Sequence, residues 1–253
     1  MAVQNAPSGI QVIDRAVALL DALMHEPHPA SLKVLSAETG LHPSTAFRIL
    51  ASLAGHAMVA RDEAGNYRLG PHLLQWAGRV SASLDIREAA RPVMQWLRDQ
   101  VGESVNLTLR EGDQVVYVER AIPNRMMRVE QVIGSRAPLH VTAVGKLMLG
   151  EAGDAAIRDY AARTGLPALT VNTRAKVAAL LKDIHSSMAR GYALDDEEAE
   201  LGVGCIGALV RDATGAAVAG LSVSAPMERR KAAWIPLVQE AADRIARRLG
   251  HER

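Results

Sequence analysis

Cys205 is the single cysteine in 253 residues, and it falls in an apolar run. Across a short turn, a second apolar run carries Ser222 and Ser224. Serines two apart on a strand direct both hydroxyls to one face. Asp195 lies a little upstream, in the polar stretch from Gly191 to Gly202. A thiol, two hydroxyls and a carboxylate on neighbouring strands form a hydrogen-bonding set suited to a small polar ligand. The thiol could also act as a nucleophile if a base stood beside it. A lone Cys or paired Ser on apolar strands can equally be packed core.

The elements that must position these groups can be traced from the patterning. Residues 203–210 and 216–223, joined by Asp212-Ala213-Thr214-Gly215, read as a β-hairpin. Gly191 to Gly202 reads as a loop, with Glu197, Glu198 and Glu200 solvated or at a helix start. Further upstream, residues 85–101 read as a helix with a bend at Arg91-Pro92. Val105, Leu107 and Leu109 alternate with Asn106, Thr108 and Arg110, which predicts a half-buried strand. Further strands are expected at 115–119 and 128–133. A helix starts at about Thr142, and others are expected at 153–163, 173–190 and 231–249. Strands, then helices, then strands describe a mixed α+β domain.

The first part of the chain has a different pattern. Residues 10–25 predict a helix with Ile13, Ala16, Val17, Leu20 and Met24 as its apolar stripe. Ser31 is placed to cap a second helix through Glu38. Thr39-Gly40-Leu41-His42-Pro43 is a tight turn, and a third helix follows over 44–54. There Ala46, Ile49, Leu50 and Leu53 share one side, and Ser44, Thr45, Arg48 and Ser52 the other. A helix-turn-helix with a small polar and basic outer face is the geometry of a major-groove reader. Arg can pair with guanine edges or phosphate, and Ser and Thr with either. Two short strand-like segments follow, with Arg61 and Arg68 on their arms, which makes the module winged. Residues 1–84 carry six Lys or Arg and six Asp or Glu, so no net positive charge marks this module. Pro71 opens another helix whose stripe, Leu73, Trp76, Ala77, Val80 and Leu84, needs a partner to bury it.

Composition excludes several classes. Apolar residues make up 49% of the chain and charged ones 23%, with a net charge of +1, which describes a globular protein with no membrane span. One cysteine allows no intramolecular disulfide and fits a reducing compartment. MAVQNAPSGI lacks the basic and apolar regions of a signal peptide, so a cytoplasmic protein is expected. His25 and His28 sit among prolines with no companion ligands, so no metal is expected. No P-loop, Rossmann fingerprint or G-x-S-x-G elbow is present, and no cofactor is expected.

Three segments, in order along the chain, resemble the isocitrate lyase regulator (IclR) family of bacterial transcription factors. They are Ser36 to Leu53, Pro138 to Lys146 (PLHVTAVGK), and GYALDDEEAELGVGCIGALV with LSVSAP. The last is similar to the family pattern G-x-x-x-D-x-E-E-x-x-x-G-x-x-C-I through Gly191, Asp195, Glu197, Glu198, Gly202, Cys205 and Ile206. The resemblance implies a winged helix-turn-helix over residues 1–70, a linker and dimerisation helix over 71–84, and a GAF-like effector domain over 85–253. It also implies binding to operator DNA as a dimer or a dimer of dimers. By position, the implied effector contacts are Ala143, Val144, Asp195, Cys205, Ser222 and Ser224. The first two positions are bulkier here than the Gly-Ala common in relatives that bind two- and three-carbon oxoacids.

Those residue types suit a small organic acid, aliphatic or aromatic. Free N–H groups at a helix N-terminus attract a carboxylate, and the serines add hydroxyl donors. An ionised Asp195 would repel an acid unless the ligand offered a donor or Asp195 held a proton. The alternatives at this level are an enzyme with Cys205 as nucleophile and His140 or His185 as base, or a sensor signalling through protein partners.

Overall fold

The computed structural model describes residues 10–83 and 85–251, with the side chains of 80–83 left aside. Most of the MAVQNAPSGI segment, Leu84 and the Val80 side chain therefore lie outside what is described. The chain divides into two compact units, Met1–Ser83 and Leu84–Arg253. No helix among the described residues is long and apolar enough to cross a membrane.

In the first unit, α1 (Gln11–His25) and α2 (Leu32–Thr39) lead into α3 (Pro43–Gly55). The Ser31 hydroxyl accepts the Val34 N–H and caps α2. Gly40, at φ 66°, ends α2 in the left-handed region. Pro43 then opens α3 at a position where its missing N–H costs nothing. Ala46, Ile49, Leu50 and Leu53 are buried, as their spacing predicts. α1 differs in part from expectation: Ala16 and Leu20 pack against the core as predicted, but Leu19, Ala22 and Leu23 are its buried residues, whereas Ile13, Val17 and Met24 are about half exposed. The helix is apolar on more than one side, and packing against both α2 and α3 selects the Leu19 side. The wing pairs β1 (Val59–Arg61) with β2 (Tyr67–Leu69), and a bridge from Ala30 to Tyr67 ties it to the α1–α2 connection. α4 (His72–Ser83) completes the unit, with Leu74 and Trp76 exposed.

The second unit opens with α5 (Ile86–Val101), capped by Asp85, whose carboxylate accepts the Arg87 N–H. α5 runs through Pro92 without a break, because Pro92 lies on its exposed side. Next come β3 (Ser104–Glu111), β4 (Gln114–Ala121), β5 (Arg136–Pro138), α6 (Ala143–Thr164) and α7 (Val177–Arg190). The chain ends with β6 (Ala193–Asp196), β7 (Val203–Arg211), β8 (Ala217–Pro226) and α8 (Ile235–Arg248). The strands form one antiparallel sheet in the order β5-β4-β3-β8-β7-β6. Val105, Leu107, Ile206, Ala208, Leu221 and Val223 pack one sheet face against α5 and α8. α6 lies on the other face.

Several local expectations change in the fold. Residues 128–133 form no strand. Their carbonyls are held by side chains instead: the Arg120 guanidinium donates to Gln131 O, and Ser104 Oγ to Val129 O. The third pairing on that edge is the short β5. Part of the expected loop is strand β6, which pairs with β7. The two helices expected from Thr142 and at 153–163 are one element, α6, kinked at Gly153 with φ 83°. The last helix starts at Ile235, after a 3-10 turn at Ala232–Trp234. Finally, β3 is buried on both faces over Ser104–Thr108, so Asn106 and Thr108 do not face solvent.

Candidate functional site

Two surfaces carry chemistry, one in each unit. On α3, Ser44, Arg48 and Ser52 are exposed and Thr45 is half-buried, all on the side opposite the core. His42 caps this helix, and its Nδ1 also lies 2.8 Å from Ser44 Oγ. Phe47, the only phenylalanine, is exposed on the same helix. An apolar ring there can meet a thymine methyl. Sequence spacing missed both residues, because His42 was read as turn and Phe47 falls outside the polar set. In the wing, Arg61 stands opposite Tyr67 and Arg68 opposite Ala60. The two arginines therefore lie on opposite faces of the ribbon. Arg61 Nε donates to Gly65 O at 3.2 Å, and its guanidinium lies over the Tyr67 ring. Arg68 is exposed on the other side.

In the second unit, strand register aligns polar residues into rows across the sheet face beneath α6. The first row is Asp195, Cys205, Ser224 and Ser104, each opposite the next. The second contains Gly207, Ser222, Asn106 and Arg120. The third contains Leu209, Gly220, Thr108 and Tyr117. Cys205 Sγ lies 3.2 Å from Ser224 Oγ, and Asn106 Nδ2 donates to the same oxygen at 3.1 Å. The Asn106 side-chain carbonyl is buried with no partner among the described residues. If the amide is flipped, its NH2 is the orphan instead. A buried, unpaired amide is costly and marks a place for a ligand or an ordered water.

α6 brings its N-terminus to this face. Thr142 Oγ1 accepts the Gly145 N–H at 3.1 Å, while the N–H groups of Ala143 and Val144, in the first turn, have no intrahelical acceptor. Ala143, Val144, Asp195, Ser222 and Ser224 are all buried here, and Cys205 is partly so. All six residues implied by the resemblance thus meet at one place. Asp195 accepts the N–H groups of Glu198 and Ala199 on one carboxylate oxygen. Burial pushes its pKa up to about 6, more strongly than those hydrogen bonds and Lys146 pull it down. Burial also raises the Cys205 thiol far above its ordinary value, with Asp195 adding to the effect. The Tyr117 phenol is raised as well, by burial and then by Cys205 and Asp195, so it shares their surroundings.

Lys146 and Glu198 correct the expectation of a solvated acidic loop. Both side chains are 1% exposed, and Lys146 Nζ lies 2.5 Å from Glu198 Oε1 and 2.6 Å from Asp183 Oδ2. The signature loop is thereby fixed to α6 and α7. Thr170 and Thr173 hydroxyls hold its backbone, donating to Glu197 O and Glu198 O. A lysine inside an otherwise apolar helix start was the available signal for this network. Of the two candidate bases for Cys205, His140 has both ring nitrogens engaged, by Tyr160 Oη and Pro167 O. His185 is exposed and bonded to Asp154.

A helix-turn-helix unit joined to a sheet domain with a buried polar face defines a class: a DNA-binding regulator. Similarity to known proteins gives the particular family. Residues 12–63 match the IclR helix-turn-helix domain, and residues 78–250 the C-terminal domain of bacterial transcriptional regulators of IclR type. The chain belongs to the IclR family of bacterial transcriptional regulators. It is 30% identical to the transcriptional repressor AllR of Escherichia coli, over 97% of this chain and 92% of that protein. The crystal structure of the Agobacterium tumefaciens repressor BlcR superposes with a TM-score of 0.78 at 29% identity, covering 97% of this chain and 99% of that one. An IclR homologue from Microbacterium hydrocarbonoxydans, crystallised with 4-hydroxybenzoate, has the same fold. Its TM-score is 0.62 at 24% identity, over 94% of this chain and 98% of that one. The chain is a transcriptional regulator with a DNA-binding unit, and not an enzyme.

Proposed function

We propose that this regulator responds to a small organic acid bound on the polar face beneath α6, and that occupancy changes its affinity for operator DNA. The observation that carries this is the buried set of Asn106, Ser222, Ser224 and Asp195 beside the unpaired N–H groups of Ala143 and Val144. An acid placed there has donors for its carboxylate, and Asp195 can share a proton with it. Coupling is reciprocal, so operator binding and effector binding shift one another equally. On α4, Trp76 and Ala77 are exposed beside the half-buried Leu73 on one stripe, which favours a dimer or tetramer whose two-fold symmetry would match a two-fold operator.

Thermal-shift titration with aliphatic and aromatic acids, 4-hydroxybenzoate among them, tests this on the wild type and on Ser222→Ala. A ligand that raises Tm in the wild type and loses the effect in Ser222→Ala is expected. No hit across the panel sinks the organic-acid reading. Binding should also depend on pH. An anion prefers the protonated form of Asp195, which dominates below a pKa of about 6. Apparent affinity should therefore rise roughly 20-fold from pH 7.5 to 5.5, as the protonated fraction grows. A flat profile would mean that Asp195 does not face the ligand.

On the DNA side, we propose that Ser44, Thr45, Arg48 and Ser52 read the operator, with Arg61 and Arg68 as wing contacts to the backbone. Arg48→Ala should weaken specific binding by about 1–3 kcal/mol, as for loss of one base-edge arginine. Electrophoretic mobility shifts at several salt concentrations measure it. Unchanged affinity would remove Arg48 from the reading face.

A further inference from the structure

We infer that Val144 sets the size of ligand this face admits, by filling a two-glycine socket in the sheet, an inference that rests on the site proposed above. Gly207 and Gly220 lie on adjacent strands, on the same face as Cys205, Ser222 and Ser224. Glycine inside a strand often marks the close approach of another group, and here that group is Val144. A Cβ on Gly207 would stand 2.7 Å from Val144 Cγ1 and 3.1 Å from the Ala143 Cβ. One on Gly220 would stand 2.5 Å from the Val144 Cβ and 2.8 Å from its Cγ1. Neither position could carry a side chain while Val144 stays where it is.

The isopropyl group therefore occupies the ground directly beside Ser222, which pairs with Gly207 in register. A carboxylate held by the Val144 N–H would extend its body over this same ground. Valine in a helix is nearly confined to one χ1 rotamer, so the group cannot swing aside. A ligand that reaches beyond the row of Asp195, Cys205 and Ser224 has to displace the first turn of α6. That turn is tied down by the Thr142 cap and by Lys146. The face as built thus takes a compact aliphatic acid of a few carbons and excludes an aromatic ring.

The test uses the full chain, with Val144→Gly and, as a milder second variant, Val144→Ala. Leu149→Ala, a buried truncation on the same helix, controls for general loosening. Cys205 is the only thiol, and it packs beside Ala143 and Leu147. Its alkylation by iodoacetamide at pH 8 therefore reports access to the face without any ligand. Truncating Val144 should speed alkylation at least tenfold, and Leu149→Ala less than threefold. In calorimetric titrations, the Val144 variants should bind 4-hydroxybenzoate at least tenfold more tightly than the wild type does, with glycolate changing less than threefold. Alkylation that is unchanged, or raised equally by Leu149→Ala, overturns the inference, as does an equal gain for both acids. Selective alkylation with neither acid bound by any form leaves Val144 as the closing group and overturns the organic-acid reading instead.

Discussion

Lys146→Met is expected to cost about 3–5 kcal/mol of stability, the usual result of removing one partner from a buried ion pair. Lys146 and Glu198 are both 1% exposed, and one Glu198 oxygen already lacks a hydrogen bond among the described residues. Without the ammonium, the remaining carboxylate is a buried charge with no cation in contact. Burial already raises the Glu198 pKa, and Lys146 is the main group opposing that rise. The variant therefore has a Glu198 raised further, protonated in the folded state over a range where the unfolded chain ionises it. Such a group stabilises the fold below its unfolded pKa, and the contribution is lost as pH rises through the folded value. The deficit should thus be largest at pH 7.5 and shrink as pH falls toward the ordinary carboxylate range. Adding Glu198→Gln should recover part of it at neutral pH. Urea denaturation at two pH values measures all three effects. A deficit below about 1 kcal/mol, or one that grows on acidification, would show that the pair behaves as a surface ion pair.

Leu50→Ala should have an effect of similar size confined to the first unit. Leu50 is fully buried among Leu19, Leu35, Ile49 and Leu53, and truncating such a leucine costs about 2–5 kcal/mol. The unit is small, and small cores have little stability to lose. Its core shares no residue with the cores of the second unit among the described residues. Calorimetry should therefore show an early transition that moves to lower temperature and a later one that does not. Operator binding should vanish with the first transition, while the second unit keeps its near-ultraviolet signal. A single transition that shifts as a whole would mean that the two units unfold together.

Much of the first unit was legible in the sequence because its determinants are local. Ser31 as a cap, Gly40 as a left-handed stop and the two faces of α3 all depend on neighbours within a few residues. The stripe of α1 was legible only in part, for the opposite reason: the helix is apolar on more than one side, and α2 and α3 together decide which side is buried.

In the second unit, two-residue spacing determined that Ser222 and Ser224 share a face, whereas the register of β7 against β8 decided that Cys205 joins them. The family resemblance added the start of α6, Ala143 and Val144, to the set that already held Asp195. What covers that face was decided only by tertiary structure. Alternation in β3 is the same whether the polar side meets water or a helix, so Asn106 and Thr108 were assigned to solvent. β6 was hidden because its partner strand makes it a strand. Lys146 and Glu198 are 52 residues apart, and Val144 meets glycines on β7 and β8. The sequence determined which groups could act together; chain crossings far apart in sequence decided which are dry, which are paired and how much room is left between them.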